Sequence, residues 1–204
     1  MLDPSHLRLV AITRNPVDDR ERIIADCVAA VRGGATMVQL RFKNSDVATQ
    51  VAIARVLIAA VSVPVILNDR ADVALAARAA GVHLGAADLP PAAVRRFSPP
   101  GFIIGASVGC MVEAANAAGA DYVGIGPVYA STSKEDAGDA IGVEEFQRLS
   151  NLCGLPAVAI GGITAENAPA VMRSGAAGIA VIQALLGAPD PEQAARSLYY
   201  ATGM

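Results

Sequence analysis

The sequence predicts a single (β/α)8 barrel, an α/β fold built on a closed parallel sheet. Three observations carry it: eight apolar runs of strand length, segments of helical period between them, and no GxGxxG after the first run to favour an open dinucleotide-binding sheet. Runs that are apolar throughout suit strands buried on both faces, and parallel neighbours require helical crossovers.

In order along the chain, LRLVAI (7–12) is the first strand, and DDRERIIADCVAAVRGG (18–34) follows as a helix ending in glycine. TMVQL (36–40) is the second strand, and DVATQVAIARVLIAAVS (46–62) the helix after it, stopping before Pro64. The remaining strands are VPVIL (63–67), GVHL (81–84), FIIGA (102–106), DYVGIG (121–126), LPAVAI (155–160) and AGIAVI (177–182). Eight units share 204 residues, so the barrel is small, with no room for an inserted domain and no Pro/Ser-rich linker. One domain, 1–204, is expected.

Composition narrows the function classes. The chain is 53% hydrophobic and 17% charged with a net charge of −3 and scattered basic residues, which gives no footprint for a nucleic acid. Every apolar stretch is broken well before the roughly 18 residues a membrane span needs, and the first ten residues carry no basic-then-apolar export pattern. Cys27, Cys110 and Cys153 are odd in number and lack metal-ligand or CxxC spacing. They read as small core hydrophobes in a cytoplasmic protein.

In this fold, chemistry sits at the C-terminal ends of the strands, and the polar residues gather there. After the second strand, Gln39, Arg41 and Lys43 alternate with Leu40 and Phe42, so an extended chain would point all three the same way. Asn68 and Asp69 follow the third strand, Asp88 the fourth, Ser107 the fifth, and Ser131, Ser133 and Lys134 the sixth. Gly161-Gly162 and Ile182-Gln183 close the seventh and eighth.

Lys43 and Lys134 are the two lysines of a chain with 14 arginines, and both fall in these loops. A compact ammonium there suits phosphate, although chance on a surface loop gives the same pattern. Gly161-Gly162 before ITAEN reads as a backbone phosphate cradle at a helix start, or as a turn needing positive φ. Asp69 and Asp88 can share one Mg²⁺ completed by water and phosphate oxygens; alternatively Asp88 caps the helix that LPPAAV opens. His83 reads as a satisfied core histidine, His6 carries no signal, and Tyr199 and Tyr200 read as helix packing.

VQLRFK (38–43), LNDRADVALAARAAGVHLGAADLP (67–90), IIGAS (103–107), ADYVGIGPVYASTSK (120–134) and AIGGI (159–163) occur in the order found in thiamine phosphate synthases, and the chain resembles that family. The resemblance implies a Mg²⁺-dependent barrel that joins a pyrimidine methyl diphosphate to a thiazole phosphate, plain or carboxylated, releasing pyrophosphate. It implies that Gln39 and Asn68 contact the pyrimidine diphosphate, that Arg41, Lys43 and Lys134 bind its diphosphate, and that Asp69 and Asp88 hold Mg²⁺. Ser107 would lie near the reacting centre, with Arg41, Ser107 and Lys134 the catalytic group. Ser131 and Ser133 would replace two family threonines at the thiazole phosphate, whose phosphate would meet the backbone of Gly162, Ile182 and Gln183. A pyrimidine carbocation is the family's expected route, so no protein nucleophile is required.

The chain departs from the family at Phe42, Ala86-Ala87, Gly109 and Gln183, which stand where the family has an acidic residue, Gln-Glu, His and Ser. Gly109 and Gln183 bear on the thiazole end. A related thiazole tautomerase on the same barrel is the nearest alternative, but Pro127 stands at its His position and Asp69 where it has Gly. A non-catalytic binder of thiamine precursors and an unrelated phosphate-binding barrel isomerase are the others. The partners implied are small molecules, and a homo-oligomer stays open because family members often self-associate.

Overall fold

The computed structural model describes residues 2–14, 19–42, 45–131 and 138–203. A short 3-10 turn (Pro4–Leu7) leads into the alternation β1 (Leu9–Ile12), α1 (Arg20–Arg32), β2 (Met37–Leu40), α2 (Val47–Ala60), β3 (Val65–Asn68), α3 (Ala71–Ala77), β4 (Gly81–Leu84) and α4 (Pro91–Arg95). It continues with β5 (Ile103–Val108), α5 (Met111–Ala115), β6 (Tyr122–Ile125), α6 (Gly142–Cys153), β7 (Ala157–Ile160), α7 (Ala168–Arg173), β8 (Gly178–Val181), α8 (Gln183–Leu186) and α9 (Pro191–Ala201). Each expected strand is present; β4 has the expected bounds, and the others are trimmed or extended by one or two residues at their ends.

All eight pairings are parallel and follow chain order, and β1 closes onto β8 through Leu9↔Ile179, Val10↔Ala180 and Ala11↔Val181. Successive side chains point to opposite faces of a strand. One set, including Leu9, Ala11, Val38, Leu40, Val82, Leu84 and Ile104, packs outward under the helices. The other, including Val10, Ile12, Met37, Ile66, Ile103, Tyr122 and Val158, fills the lumen. Both sets are buried, which is why the strands read as continuous apolar runs.

Local chemistry fixes the crossovers. Asp19, Asp46 and Asp190 accept hydrogen bonds from the N–H groups of Arg22, Thr49 and Gln193, capping α1, α2 and α9 at their starts. Gly154 ends α6 in the left-handed conformation, at φ 61°.

Leu7 belongs to the lumen cluster and stoppers the end of the barrel at which the strands begin. On that side Arg8 donates from Nε to Thr202 Oγ1 at 2.9 Å and from Nη2 to the Thr202 carbonyl at 3.1 Å, and its guanidinium stacks 4.9 Å from the Tyr199 ring centroid. Tyr199 therefore packs as expected, whereas Tyr200 is 69% exposed and packs on nothing comparable. Among the described residues no helix is long and apolar enough to cross a membrane.

Candidate active site

Period-two alternation carries the polar residues inward at the top of the lumen. On β2 to β5 the last inward positions are Gln39, Asn68, His83 and Ser107, which follow the buried Met37, Ile66, Gly81 and Ile103 in the same rows. Above them opens a cleft of about 930 Å³ lined from every strand end except that of β1. This is a size that holds a small-molecule ligand.

Arg41, Asn68, Asp69, Asp88, Ser107, Ser131, Gly162, Ile182 and Gln183 all line the cleft. Gln39 lies one layer lower, buried in the lumen, where its amide donates to Asn68 Oδ1 at 2.6 Å. Lys43, Ser133 and Lys134 lie outside the described residues.

Arg41 is only 6% exposed. Thr13 fixes its backbone: the Arg41 N–H donates to Thr13 Oγ1 at 2.8 Å, while the Thr13 N–H donates to the Gln39 carbonyl at 3.0 Å. Among the described residues no carboxylate pairs with its guanidinium. Phe42, one step along, is buried in the outer core, so the family's missing acidic side chain at that position faces away from the cleft.

Asp69 sits at φ 65°, left-handed, in the middle of a three-residue turn closed by the Arg70 N–H on the Asn68 carbonyl at 2.7 Å. Its own N–H donates to the His83 carbonyl at 2.8 Å, which ties the turn to β4. Asp tolerates this region better than most residues, and such conformations gather at functional sites. Asp88 does not cap α4, whose N-cap is Pro90. Its carboxylate instead accepts the Gly85 N–H at 2.7 Å within the β4 loop, which holds a second carboxylate at the rim.

The two carboxylates fit Mg²⁺, a hard ion usually held by one or two Asp or Glu with water and substrate phosphates supplying the rest. No group of three or more His, Cys, Asp or Glu able to hold a metal occurs among the described residues, so a fully protein-built cage is not what these residues offer. The described lining carries four carboxylates, Asp69, Asp88, Glu113 and Asp139, against one guanidinium. An anionic ligand entering such a lining needs further cations.

Gly161 and Gly162 have φ 96° and 63°, and a Cβ on Gly162 would meet Ala130 O at 2.6 Å and Tyr129 Cβ at 2.7 Å. These positions require glycine for conformation and for close approach alike. They do not open a helix: α7 begins at Ala168, and Asn167 bridges the gap by accepting the Thr164 N–H at 2.8 Å and donating to the Gly162 carbonyl at 2.9 Å. The short helix start in the cleft is that of α8, with Ile182 at its N-cap and Gln183 its first residue. The Gln183 amide lies against Gly187, where a Cβ would come 2.7 Å from it, so its bulk is directed along the helix.

Gly109 donates its N–H to the Glu113 carboxylate, which occupies the neighbourhood of the missing family His. Glu113, Asp139 and Thr164 are not singled out by the sequence reading, and they line the cleft together with Cys110. Cys110 is exposed rather than a core hydrophobe, and Cys153 is half-buried. Cys27 alone is fully buried, and burial followed by the nearby Asp26 charge pushes its thiol up to about 12. His83 is a satisfied histidine of the lumen, bonded to Tyr122 and to Ser107.

A closed barrel with its polar side chains converging on one cleft at the C-terminal strand ends defines a (β/α)8-barrel protein of the enzyme type. The family model described as thiamine monophosphate synthase matches residues 9–185. A thiamine-phosphate synthase of Azorhizobium caulinodans is 46% identical over 203 residues, covering 97% of this chain and 96% of the relative. One from Methanoculleus marisnigri is 48% identical over 174 residues, 83% and 82% of the two chains. The solved thiamine phosphate pyrophosphorylase of Pyrococcus furiosus superposes with a TM-score of 0.84 at 35% identity, covering 98% of this chain and 96% of that one. The chain belongs to the thiamine monophosphate synthase family.

Proposed function

We infer that this chain is a thiamine-phosphate synthase, a transferase that joins 4-amino-2-methyl-5-pyrimidinylmethyl diphosphate to 4-methyl-5-(2-phosphoethyl)thiazole. The observation that carries the reading is that, in a member of this family, Arg41, Asn68, Asp69, Asp88, Ser107, Ser131 and Gly162 all meet in one cleft.

In the reaction the C–O bond between the pyrimidine methylene and the diphosphate breaks, and its electron pair leaves with pyrophosphate. The thiazole nitrogen supplies the pair for the new C–N bond. Asp69 and Asp88 are the side chains that would hold Mg²⁺, which would supply charge neutralisation at the leaving diphosphate. Arg41, Lys43 and Lys134 stabilise the charge that grows on the leaving oxygens, the more effectively because Arg41 is shielded from water. Gln39 and Asn68 act as a pair: the Gln39 amide bond to Asn68 Oδ1 fixes the Asn68 side chain so that its NH2 stays available to the pyrimidine.

Ser131 and Ser133 with the backbone of Gly162, Ile182 and Gln183 hold the thiazole phosphate. The loop carrying Ser131 is set by the Tyr129 N–H on the Gly161 carbonyl at 3.1 Å and the Val128 N–H on the Ile160 carbonyl at 2.8 Å. Holding the two substrates in line is the main task, since neither step asks the protein for a nucleophile. The three free thiols support a cytosolic setting.

The test is thiamine phosphate formation by purified protein from the two substrates, with and without Mg²⁺. Metal-dependent product is the expected result. Folded protein that binds the substrates without joining them would replace this reading with a tautomerase or a precursor-binding role.

A further inference from the structure

Beneath the cleft, three inward side chains from adjacent strands form a hydrogen-bonded line. The Tyr122 hydroxyl on β6 lies 2.9 Å from His83 Nδ1 on β4, and His83 Nε2 lies 3.0 Å from Ser107 Oγ on β5. The two rings sit 5.5 Å apart, tilted by 43°. Register brings them together: Gly105 pairs with both His83 and Tyr122, and Gly124 pairs with Ser107.

Those two glycines make the space. A Cβ on Gly105 would collide with the Tyr122 ring and stand 2.5 Å from His83 Nδ1, and one on Gly124 would stand 2.9 Å from His83 Cε1. Two consecutive strands thus give up an inward side chain at the level where the lumen holds this pair.

The line has a direction. Tyr122 is 2% exposed, and burial holds its phenol above the usual range, so the hydroxyl keeps its proton. A buried O–H must be donated, and His83 Nδ1 is the one partner of this hydroxyl among the described residues. In the neutral ring, Nδ1 is then the unprotonated nitrogen and Nε2 carries the hydrogen. Nε2–H donates to Ser107 Oγ, which leaves the Ser107 O–H to donate elsewhere, and Ser107 also lines the cleft.

We propose that Tyr122 and His83 are positioning residues that hold the Ser107 hydroxyl as a hydrogen-bond donor toward an anionic oxygen bound in the cleft. The opposite tautomer would make Nε2 an acceptor, turn the Ser107 hydrogen down onto it and face a lone pair to the anion. On the synthase reading, on which this assignment of the ligand rests, the anionic oxygen belongs to the departing diphosphate. Tyr122 and His83 would then act on the bond-breaking step without touching substrate.

The chain has two histidines, so nitrogen NMR of the imidazoles resolves the tautomer directly. Substrate-free protein at about pH 8, with His6→Asn to assign the signals, should show His83 protonated at Nε2 and bare at Nδ1. Tyr122→Phe removes one oxygen and should lose that preference, with kcat down roughly tenfold and KM for the pyrimidine diphosphate little changed. In a Ser107→Ala background Tyr122→Phe should cost nothing further, whereas a purely structural tyrosine would add its full effect. A wild-type His83 protonated at Nδ1, or additive effects of the two substitutions, overturns the proposal. If the wild type makes no thiamine phosphate, the kinetic arm falls with the synthase reading, and the tautomer still decides the hydrogen-bond line.

Discussion

Arg41→Met is expected to move stability and activity in opposite directions. The guanidinium is 6% exposed and no carboxylate among the described residues pairs with it, although Asp69, Asp88, Glu113 and Asp139 line the same cleft, so the fold carries a buried charge with no ion-pair partner among those residues. Effective penalties for such burial reach several kcal/mol per ion, part of which open water in the cleft relieves. Met keeps the apolar stem and about the same reach while removing the charge. A gain of about 1 kcal/mol is expected, which for a chain of this length raises Tm by about 2–4 °C. The cost falls on the anion. Hydrogen bonds to charged groups contribute about 1.5–3 kcal/mol, so kcat/KM for the pyrimidine diphosphate should fall roughly 10- to 150-fold. Thermal unfolding with and without inorganic pyrophosphate and Mg²⁺ separates the two effects: a ligand at about a hundred times its Kd stabilises by about 2.7 kcal/mol, and the variant should lose most of that increment. A Tm lowered by about 5 °C or more, with kcat/KM intact, would refute the reasoning and make Arg41 a structural residue.

Asp69→Asn, which suits the left-handed turn better than Ala does, should fold normally and lose most activity at saturating Mg²⁺, with the metal requirement shifted upward; near wild-type kcat would remove Asp69 from the metal site. Lys134→Ala should likewise keep the fold and lose most turnover. Ser131→Ala should chiefly raise KM for the thiazole phosphate, and an unchanged KM would put that substrate elsewhere. Cys27 has a folded pKa raised from 9.0 to about 12, so its contribution to stability is present below pH 9 and lost as pH climbs toward 12. Between about pH 8 and 10.5, urea unfolding of the wild type should lose about 2 kcal/mol more than that of Cys27→Ala; parallel losses would mean the thiol titrates normally.

The barrel was legible because its strands are buried on both sides, which forces unbroken apolar runs such as LVAI and AVAI into the sequence. The polar ends were legible for the same reason: Gln39, Asn68 and Ser107 stand out against those runs. What could not be read was whatever depends on two distant residues meeting. The His83 and Tyr122 rings pair across 39 positions, and only the β4–β5–β6 register reveals that Gly105 and Gly124 are small to admit them. Asp88 before LPPAAV has the local pattern of a helix cap, but the nearer Gly85 N–H captured its carboxylate. Gly161-Gly162 met a similar fate, since the Asn167 bridge inserts a turn before α7. Cys110 looked like any small apolar residue, and its exposure follows from falling just past the end of β5, at the mouth of the cleft.

The clasp between Arg8 and Thr202 carries an engineering consequence. It brings the first and last described segments together on the face opposite the cleft, beside the Leu7 stopper. A short linker could therefore splice those segments, and the chain could be reopened in the turn before β5, where Gly101 has nothing within 4 Å of its would-be Cβ. Both operations fall on the loops that enter strands, whereas the chemistry sits on the loops that leave them. The molecule is thus divided into a face that can be rewired and a face that must be left alone, and a cargo domain or surface tether belongs on the first.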